Sequence, residues 1–343
     1  MSFFFAASRL AAKSQIAIDE PASFRLLQPK TLDEAARMLR DYGPEAVALA
    51  GGCDILEKIK TQWIRPRYVV NLKPVLGAEV TQSGIGAGAT VAKVAKQSAL
   101  PNALRQAAAV VATPQIRNVG TIGGNVLQDS RCPYYRGPWH CYRAGGMTCD
   151  AVRGFTHEHA LWGGERCYTV TPSDTAVALV ALNATAEIFG AEGTRNLSLA
   201  DVFSPPTYDI TAMHKLKSDE ILTRIMLPPA KANSRSAFRK AAMRQSWDFA
   251  LASVAIYCEM EGDACREARV VLGAVAPIPW RAHDAEAVLR GNRISDRIED
   301  AVRASVNGAQ PLPHNEYKIG LVKNLVRECL EEIFGPERKG LGN

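Results

Sequence analysis

No apolar run in this 343-residue chain approaches the roughly 18–20 residues that a membrane-spanning helix needs, so a transmembrane anchor is not expected. No basic stretch precedes Phe3–Phe5 in the opening MSFFFAASRLAAKS, so that start does not read as a signal peptide. Residues 1–21 read instead as a short extension that a partner would cover. The compartment expected by default is the cytoplasm, or the periplasm if a signal-bearing partner carries the folded chain across. There is no run of basic residues and no basic stripe interleaved with aromatics, so the net charge of +6 is diffuse and a nucleic-acid partner is not expected. Internal repeats are absent. Pairs of cysteines at C-x2-C spacing are also absent, which removes the usual zinc-ribbon and ferredoxin signatures.

What is present fits a globular chain. Hydrophobic residues at 47% and charged residues at 22% are near the soluble average, which disfavours disorder. The length exceeds one ordinary core and predicts two or three units. Thr31 and Glu34 have capping-box spacing ahead of LDEAARMLRDY, a helix that Gly43-Pro44 stops. Strands are expected at Ala46–Ala50 and, after Pro66, at Tyr68–Leu72, which makes a small α/β unit over 22–78. A second unit over 79–228 opens at Gly84–Ala89. It continues with helices Val91–Ala99 and Leu104–Val111, a break at Thr113-Pro114, helix Asp174–Leu182, and strands Ala184–Phe189 and Ile221–Leu227. Residues 129–168 have no sustained period and read as an inserted loop. A third unit, 229–336, has strands near Ala237–Met243, Ala250–Glu259 and Ala268–Ala274, then helices His283–Leu289, Asp296–Val306 and Tyr317–Phe334. Residues 337–343 read as a tail. The fold class is α+β in three parts.

Two segments share one design, a short apolar stretch, a double glycine and a small polar residue: Leu49-Ala50-Gly51-Gly52-Cys53-Asp54 and Gly120-Thr121-Ile122-Gly123-Gly124-Asn125. Double glycines reach φ > 0 and can turn several N–H groups toward one point, an anion-binding nest suited to a pyrophosphate. A helix beginning near Ile55 would add its N-terminal dipole. The plain alternative is a pair of tight turns. Gly84-Ile85-Gly86-Ala87-Gly88-Ala89 formally fits G-x-G-x-x-A, but VTQS before it makes a poor central strand. No acidic ribose partner stands about 20 residues on, so a Rossmann reading is rejected. Of the eight cysteines, Cys53, Cys258, Cys265 and Cys329 are isolated, and Cys258 in LASVAIYCEM reads as a small buried hydrophobe. Cys132, Cys141, Cys149 and Cys167 form C-x8-C-x7-C-x17-C within the loop. Spacing alone leaves a metal site and structural disulfides both open, with a cytoplasmic setting weighing against disulfides.

Read together, AGGCDIL, ATPQIRNVGTIGGN, PSDTAVALVALNA and DFALASVA resemble the FAD-binding medium subunit of the xanthine dehydrogenase/aldehyde oxidoreductase family of molybdenum hydroxylases. The likeness runs from about Phe24 to Phe334. It implies a vanillyl-alcohol-oxidase/PCMH-type flavin domain of two α/β subdomains, followed by a small C-terminal α+β domain. The resemblance implies that Ala48, Leu49, Ala50, Gly51, Gly52, Cys53, Asp54 and Ile55, with Thr121, Ile122, Gly123, Gly124 and Asn125, hold the FAD pyrophosphate. It further places Asp174 near the flavin, Ile221 or Leu222 as an aliphatic packing residue, and Lys240 as a basic residue near the ring. The first turn departs from the family's G-G-T-D at Cys53, which keeps backbone contacts but replaces a hydroxyl with a weaker donor. No histidine stands there, so FAD is expected to be non-covalent.

A branch of this family, which includes 4-hydroxybenzoyl-CoA reductase and certain aldehyde oxidoreductases, carries a cysteine loop between GGN and PSD that binds a [4Fe–4S] cluster. RCPYYRGPWHC, GGMTCDAV, GFTHEHALWG and RCYTVTPSD resemble the aldehyde oxidoreductase branch. The implied ligands are Cys132, Cys141, Cys149 and Cys167, with His140, His157 or His159 as substitutes. Arg131, Arg136, Arg143 and Arg166 are expected to offset the cluster's charge, and Tyr134, Tyr135 and Trp139 to pack around it or flank a partner. The role implied is electron transfer, with no catalytic residue in this chain. Substrate would react at the molybdenum cofactor of a large partner, and electrons would pass through [2Fe–2S] centres of a small partner to FAD and an external acceptor or donor. Two rivals are a stand-alone flavin oxidoreductase of the same fold and a zinc-binding scaffold or sensor.

Overall fold

The computed structural model describes residues 23–334; the expected extension 1–21 and tail 337–343 lie outside them. Thr31 caps the helix Leu32–Tyr42 by accepting the Glu34 N–H. The Glu34 carboxylate accepts from the Lys30 N–H at 2.7 Å, so the return bond of the expected capping box lands one residue early. Ala35, Ala36 and Leu39 bury on one face, as their spacing dictates. They pack with Leu27 and Val70 from a parallel three-stranded sheet. Its order is β1 (Arg25–Leu27), β3 (Tyr68–Asn71), β2 (Ala46–Leu49). β1 was not expected from the sequence, since three residues give no measurable alternation.

The second sheet is antiparallel, in the order β4 (Gly84–Gly86), β7 (Ile221–Met226), β5 (Thr185–Gly190), β6 (Gly193–Ser198). The glycines that mimic a dinucleotide fingerprint thus form an edge strand, in keeping with the rejected Rossmann reading. The third sheet is also antiparallel: β11 (Trp280–Arg281), β10 (Ala264–Gly273), β9 (Ala252–Glu261), β8 (Ser234–Ala241). Strand alternation gives it two buried faces. Val254 and Ile256 of β9 join the core beneath the helices His283–Leu289, Ile298–Ala304 and Tyr317–Phe334, while Ala255 between them joins the core of the middle unit.

All eight residues of the helix Asp174–Ala181 are buried. DTAVALVA has almost no polar face, and a helix apolar all round must be enclosed. It is enclosed by the helix Asn102–Ala109 on one side and by β9 and β10 on the other. Thr113-Pro114, expected as a break, starts a helix: Thr113 caps Pro114–Val119, with proline in the first turn where its missing N–H costs nothing. Residues 129–168 hold only the short helix Pro133–Arg136 and the single turns Tyr142–Ala144 and Asp150–Arg153. Among the described residues no helix is long and apolar enough to cross a membrane.

The third unit is tied together by one buried carboxylate. Glu286 accepts from Arg281 Nε at 2.8 Å, Arg281 Nη2 at 2.6 Å and the Val270 N–H at 3.0 Å. Glu286→Ala leaves the guanidinium and one strand N–H without their acceptor. It is expected to cost about 3–5 kcal/mol in denaturant unfolding, the usual cost of breaking one side of a buried pair; a loss below about 1 kcal/mol, the level of an exposed pair, would refute this account.

Candidate functional site

The two glycine segments meet backbone to backbone. A Cβ added to Gly51 would lie 2.6 Å from the Val119 carbonyl oxygen, 2.8 Å from Gly120 Cα and 2.9 Å from the Thr121 nitrogen. Gly52 takes φ +79, the left-handed turn expected of it, and sends the chain into the helix Ile55–Lys60. The second double glycine corrects the expectation. Gly123 and Gly124 are not in the φ > 0 region but inside the helix Ile122–Val126, which Thr121 caps by accepting the Gly124 N–H at 3.1 Å. Gly123 is small because Ala87 approaches it: a Cβ there would be 2.9 Å from Ala87 Cβ.

Between the segments opens a cavity of about 860 Å³. Ala48, Ala50, Gly51, Gly52, Cys53, Asp54, Ile55, Thr121, Gly124, Asn125, Asp174 and Lys240 line it. Leu49, Ile122, Gly123, Ile221 and Leu222 stand outside its lining. Ile122 and Leu222 stand in the core of the middle unit and Ile221 in that of the first, while Leu39, Leu72, Met213 and Leu216 are among the aliphatic residues of the lining.

Lys240 Nζ donates to Asp174 Oδ2 at 2.7 Å and to the Asp248 carbonyl at 2.9 Å. Burial pushes the Asp174 carboxyl up, against the opposing pull of Lys240. Asn125 is fixed by Ser173 and Thr175, whose hydroxyls donate to its Oδ1 at 2.8 and 2.6 Å. Trp247, at φ +77, and Phe249 form part of the rim. Three buried polar atoms of wall residues, Arg131 Nε, Arg143 Nε and His214 Nδ1, have no hydrogen-bond partner.

Asp54 and Asp129 join this cavity to the cysteine loop. Asp54 Oδ1 pairs with Arg136 at 2.7 Å and Arg131 at 2.9 Å, and its Oδ2 accepts the Asp129 N–H at 2.9 Å. Asp129 accepts from Lys58 Nζ at 2.8 Å, Tyr135 Oη at 2.9 Å and Arg143 Nη2 at 3.3 Å. Burial alone would raise the Asp129 carboxyl, but Lys58 and Arg143 outweigh it and hold the group well below the usual carboxylate range. Arg131 and Arg136, expected to balance a cluster, are therefore engaged by carboxylates. Arg143 stands between Asp129 and Cys167, and Arg166 is exposed.

The four loop cysteines are drawn together as free thiols. Burial first, then the neighbouring thiols Cys141 and Cys167, pushes Cys132 up to about 12. Burial pushes Cys167 up to about 11, with Cys141 and Cys149 adding to it. Backbone N–H groups of Tyr134 and Tyr135 point at the Cys132 sulfur, those of Ala151, Val152 and Tyr168 at Cys149, and that of Thr169 at Cys167. Among the described residues no group of three or more His, Cys, Asp or Glu side chains converges tightly enough to hold a single metal ion. His159 Nε2 lies 3.3 Å from Cys132 Sγ, whereas His157 stacks on His314 and His140 is exposed.

Residues 22–230 match the family described as the FAD binding domain in molybdopterin dehydrogenase. The chain belongs to this family. Residues 236–333 match a second family, the CO dehydrogenase flavoprotein C-terminal domain. Over 302 residues the chain is 34% identical to the aldehyde oxidoreductase FAD-binding subunit PaoB of Escherichia coli K12, which covers 84% of this chain and 92% of that one. It is 26% identical over 335 residues to the nicotinate dehydrogenase FAD-subunit of Eubacterium barkeri, covering 91% and 98%. Among solved structures, CO dehydrogenase from Oligotropha carboxidovorans superposes with a TM-score of 0.71 at 24% identity, over 92% of this chain and 99% of that one. Quinoline 2-oxidoreductase from Pseudomonas putida 86 gives 0.69 at 22%, over 92% and 98%. These two likenesses establish the fold.

In this molybdopterin dehydrogenase flavoprotein, the sequence missed Lys58, Asp129 and His214 on the cavity wall. Asp129 in VLQDSRC has no periodicity to mark it; the one available signal was its place at the mouth of the cysteine loop. Gly51→Ala is expected to force the two backbones apart, at a cost of about 1–3 kcal/mol. The readout is flavin absorbance per chain, which should fall several-fold; full retention would show that the contact is not needed. Asp129 has a depressed pKa, so its ion pairs contribute fully above the unfolded value of about 3.9 and are lost as pH falls through the folded value. Asp129→Asn should therefore lower stability by about 3 kcal/mol. That gap should be constant between about pH 5 and 8 and shrink below pH 4, and a gap that widens on acidification would contradict the assignment.

Proposed function

We propose that the chain is the electron-relay subunit of a heteromeric molybdenum hydroxylase, with non-covalent FAD in the large cavity and a [4Fe–4S] cluster on Cys132, Cys141, Cys149 and Cys167. Electrons are exchanged between [2Fe–2S] centres on a small partner and an external acceptor or donor. Substrate is converted at the molybdenum cofactor of a large partner. Because the E. coli relative is named as an aldehyde oxidoreductase subunit, an aldehyde is the first substrate to try on the complex.

The observation that carries this reading is the shared wall. Tyr135 and Arg143 line the cavity, and the same two residues reach the thiols: Tyr135 packs with Cys141 and Cys132, and Arg143 faces Cys167. Two redox sites one side-chain layer apart suit a relay better than a lone flavin oxidase. The residues also fit each group separately. For the flavin, Arg117, Arg131 and Lys240 on the cavity wall bring positive charge to a ligand that carries phosphates. The left-handed turn at Gly52 offers backbone N–H groups to a pyrophosphate, and the Asp174–Lys240 pair lines the same cavity. For the cluster, four mostly buried thiols surrounded by backbone donors are costly as thiolates alone and are stabilised by iron. When bound, FAD supplies the redox chemistry, and the protein supplies binding, orientation and electrostatics.

Anaerobically purified protein should show flavin bands and a broad iron–sulfur absorbance, both bleached by dithionite, with about four irons per chain. Flavin with zinc and no iron would sink the cluster, and folded protein with neither flavin nor iron would sink the whole reading.

A further inference from the structure

His159 is buried in the cysteine loop, with 3% of its surface exposed, and its two ring nitrogens have different surroundings. Nε2 lies 3.3 Å from Cys132 Sγ, while Nδ1 is buried without a partner. A neutral imidazole carries one N–H. A proton on Nδ1, beside which the Thr156 carbonyl lies, would turn the Nε2 lone pair toward a sulfur that as a ligand thiolate can only accept. A proton on Nε2 aims the donor at the sulfur and leaves only a lone pair unused. Toward a ligand thiolate the second arrangement costs less, since the first sets two acceptors face to face at 3.3 Å. Cys132 Sγ then receives a side-chain donor besides the backbone N–H groups of Tyr134 and Tyr135, a setting made for a sulfur that carries negative charge.

The ring is held from the other side of the chain. The His159 carbonyl accepts from Asn315 Nδ2 at 3.0 Å and Lys318 Nζ at 3.2 Å, both fully buried side chains. Lys318 Nζ also donates to the Ala274 carbonyl at 2.8 Å. Tyr317 Oη donates to the His157 carbonyl at 2.8 Å, and the His314 N–H donates to Thr156 Oγ1 at 3.1 Å. A buried ammonium whose hydrogen bonds go to carbonyls is expensive. Its evident work is to hold residues 156–160 against the helix Tyr317–Phe334.

We propose that His159 is a positioning residue that donates its Nε2–H to Cys132 Sγ and raises the reduction potential of the cluster, held in place by Asn315 and Lys318. The inference rests on the [4Fe–4S] reading given above. A hydrogen bond to a ligand sulfur stabilises the more negative, reduced state, and such bonds are among the factors that set iron–sulfur potentials.

The test compares the wild-type chain in its complex with His159→Leu and His159→Gln, by iron and flavin content and by a redox titration followed by electron paramagnetic resonance. His159→Leu should keep iron and flavin. Its reduced-to-oxidised ratio at the wild-type midpoint should fall about tenfold, or about 59 mV for a one-electron couple. His159→Gln retains an amide donor near the Nε2 position and should recover most of that shift, while the flavin potential stays unchanged in both. An unchanged cluster potential in iron-replete His159→Leu overturns the proposal. Equal shifts in both variants do so as well, by tying the effect to ring bulk. Loss of iron from both with flavin retained would make His159 a ligand and also overturns it. A flavin-bearing wild-type chain without iron overturns the underlying cluster reading, and that result is visible before any substitution is compared.

Discussion

The close approach of two backbones at Gly51 sets the distance on which the rest of the site depends. With no side chain at that position, the first glycine segment rests against Val119–Thr121, and the parallel sheet of the first unit is locked to the helices of the second. The helix Ile55–Lys60 then begins where Asp54 can reach Arg131 and Arg136, and Lys58 can reach Asp129. One missing methyl group therefore governs both the opening between the walls and the anchoring of the cysteine loop. Packing as dense as a protein interior transmits such a shift instead of absorbing it.

The loop itself has little regular structure to hold it. Its order comes from charge: Asp54 and Asp129 are half-enclosed acceptors surrounded by Lys58, Arg131, Arg136 and Arg143. Ion pairs in such surroundings contribute less net stability than their number suggests, because each ion has lost water. What they fix is position. Breaking one side leaves an uncompensated buried charge, so alternative placements of the loop are penalised heavily.

Local signals were legible in the sequence and distant ones were not. The helices Leu32–Tyr42, His283–Leu289 and Tyr317–Phe334 were read with their observed limits, because caps and 3.6-residue periodicity are written in neighbouring residues. The four cysteines stood out as a set, and the paired glycine segments as a cradle. Gly123 and Gly124 were misread as a left-handed turn, since glycine next to Ala87 serves closeness and glycine in a turn serves φ, and the letters are the same. Ile221 and Leu222 stand in the cores of the first and middle units, and a two-face buried strand gives no alternation from which to orient either of them. Asp129 was out of reach, and so were the ties of His159, which was named only as a substitute ligand: Asp129 meets Lys58, and His159 meets Asn315 and Lys318, across separations that no window of sequence spans.

The enclosure of the helix Asp174–Ala181 has a consequence for the order in which the molecule is made. Its outer wall is β9 and β10, and the counter-charge of Asp174 is Lys240, all of which emerge from the ribosome after it. Chains fold broadly as they are synthesised, N-terminal parts first. The glycine cradle at 48–55 is thus translated early, yet its cavity acquires Lys240, Trp247 and Phe249 only when the third unit arrives. The cavity is consequently completed late in synthesis, by a part of the chain that lies far from the glycine segments in sequence.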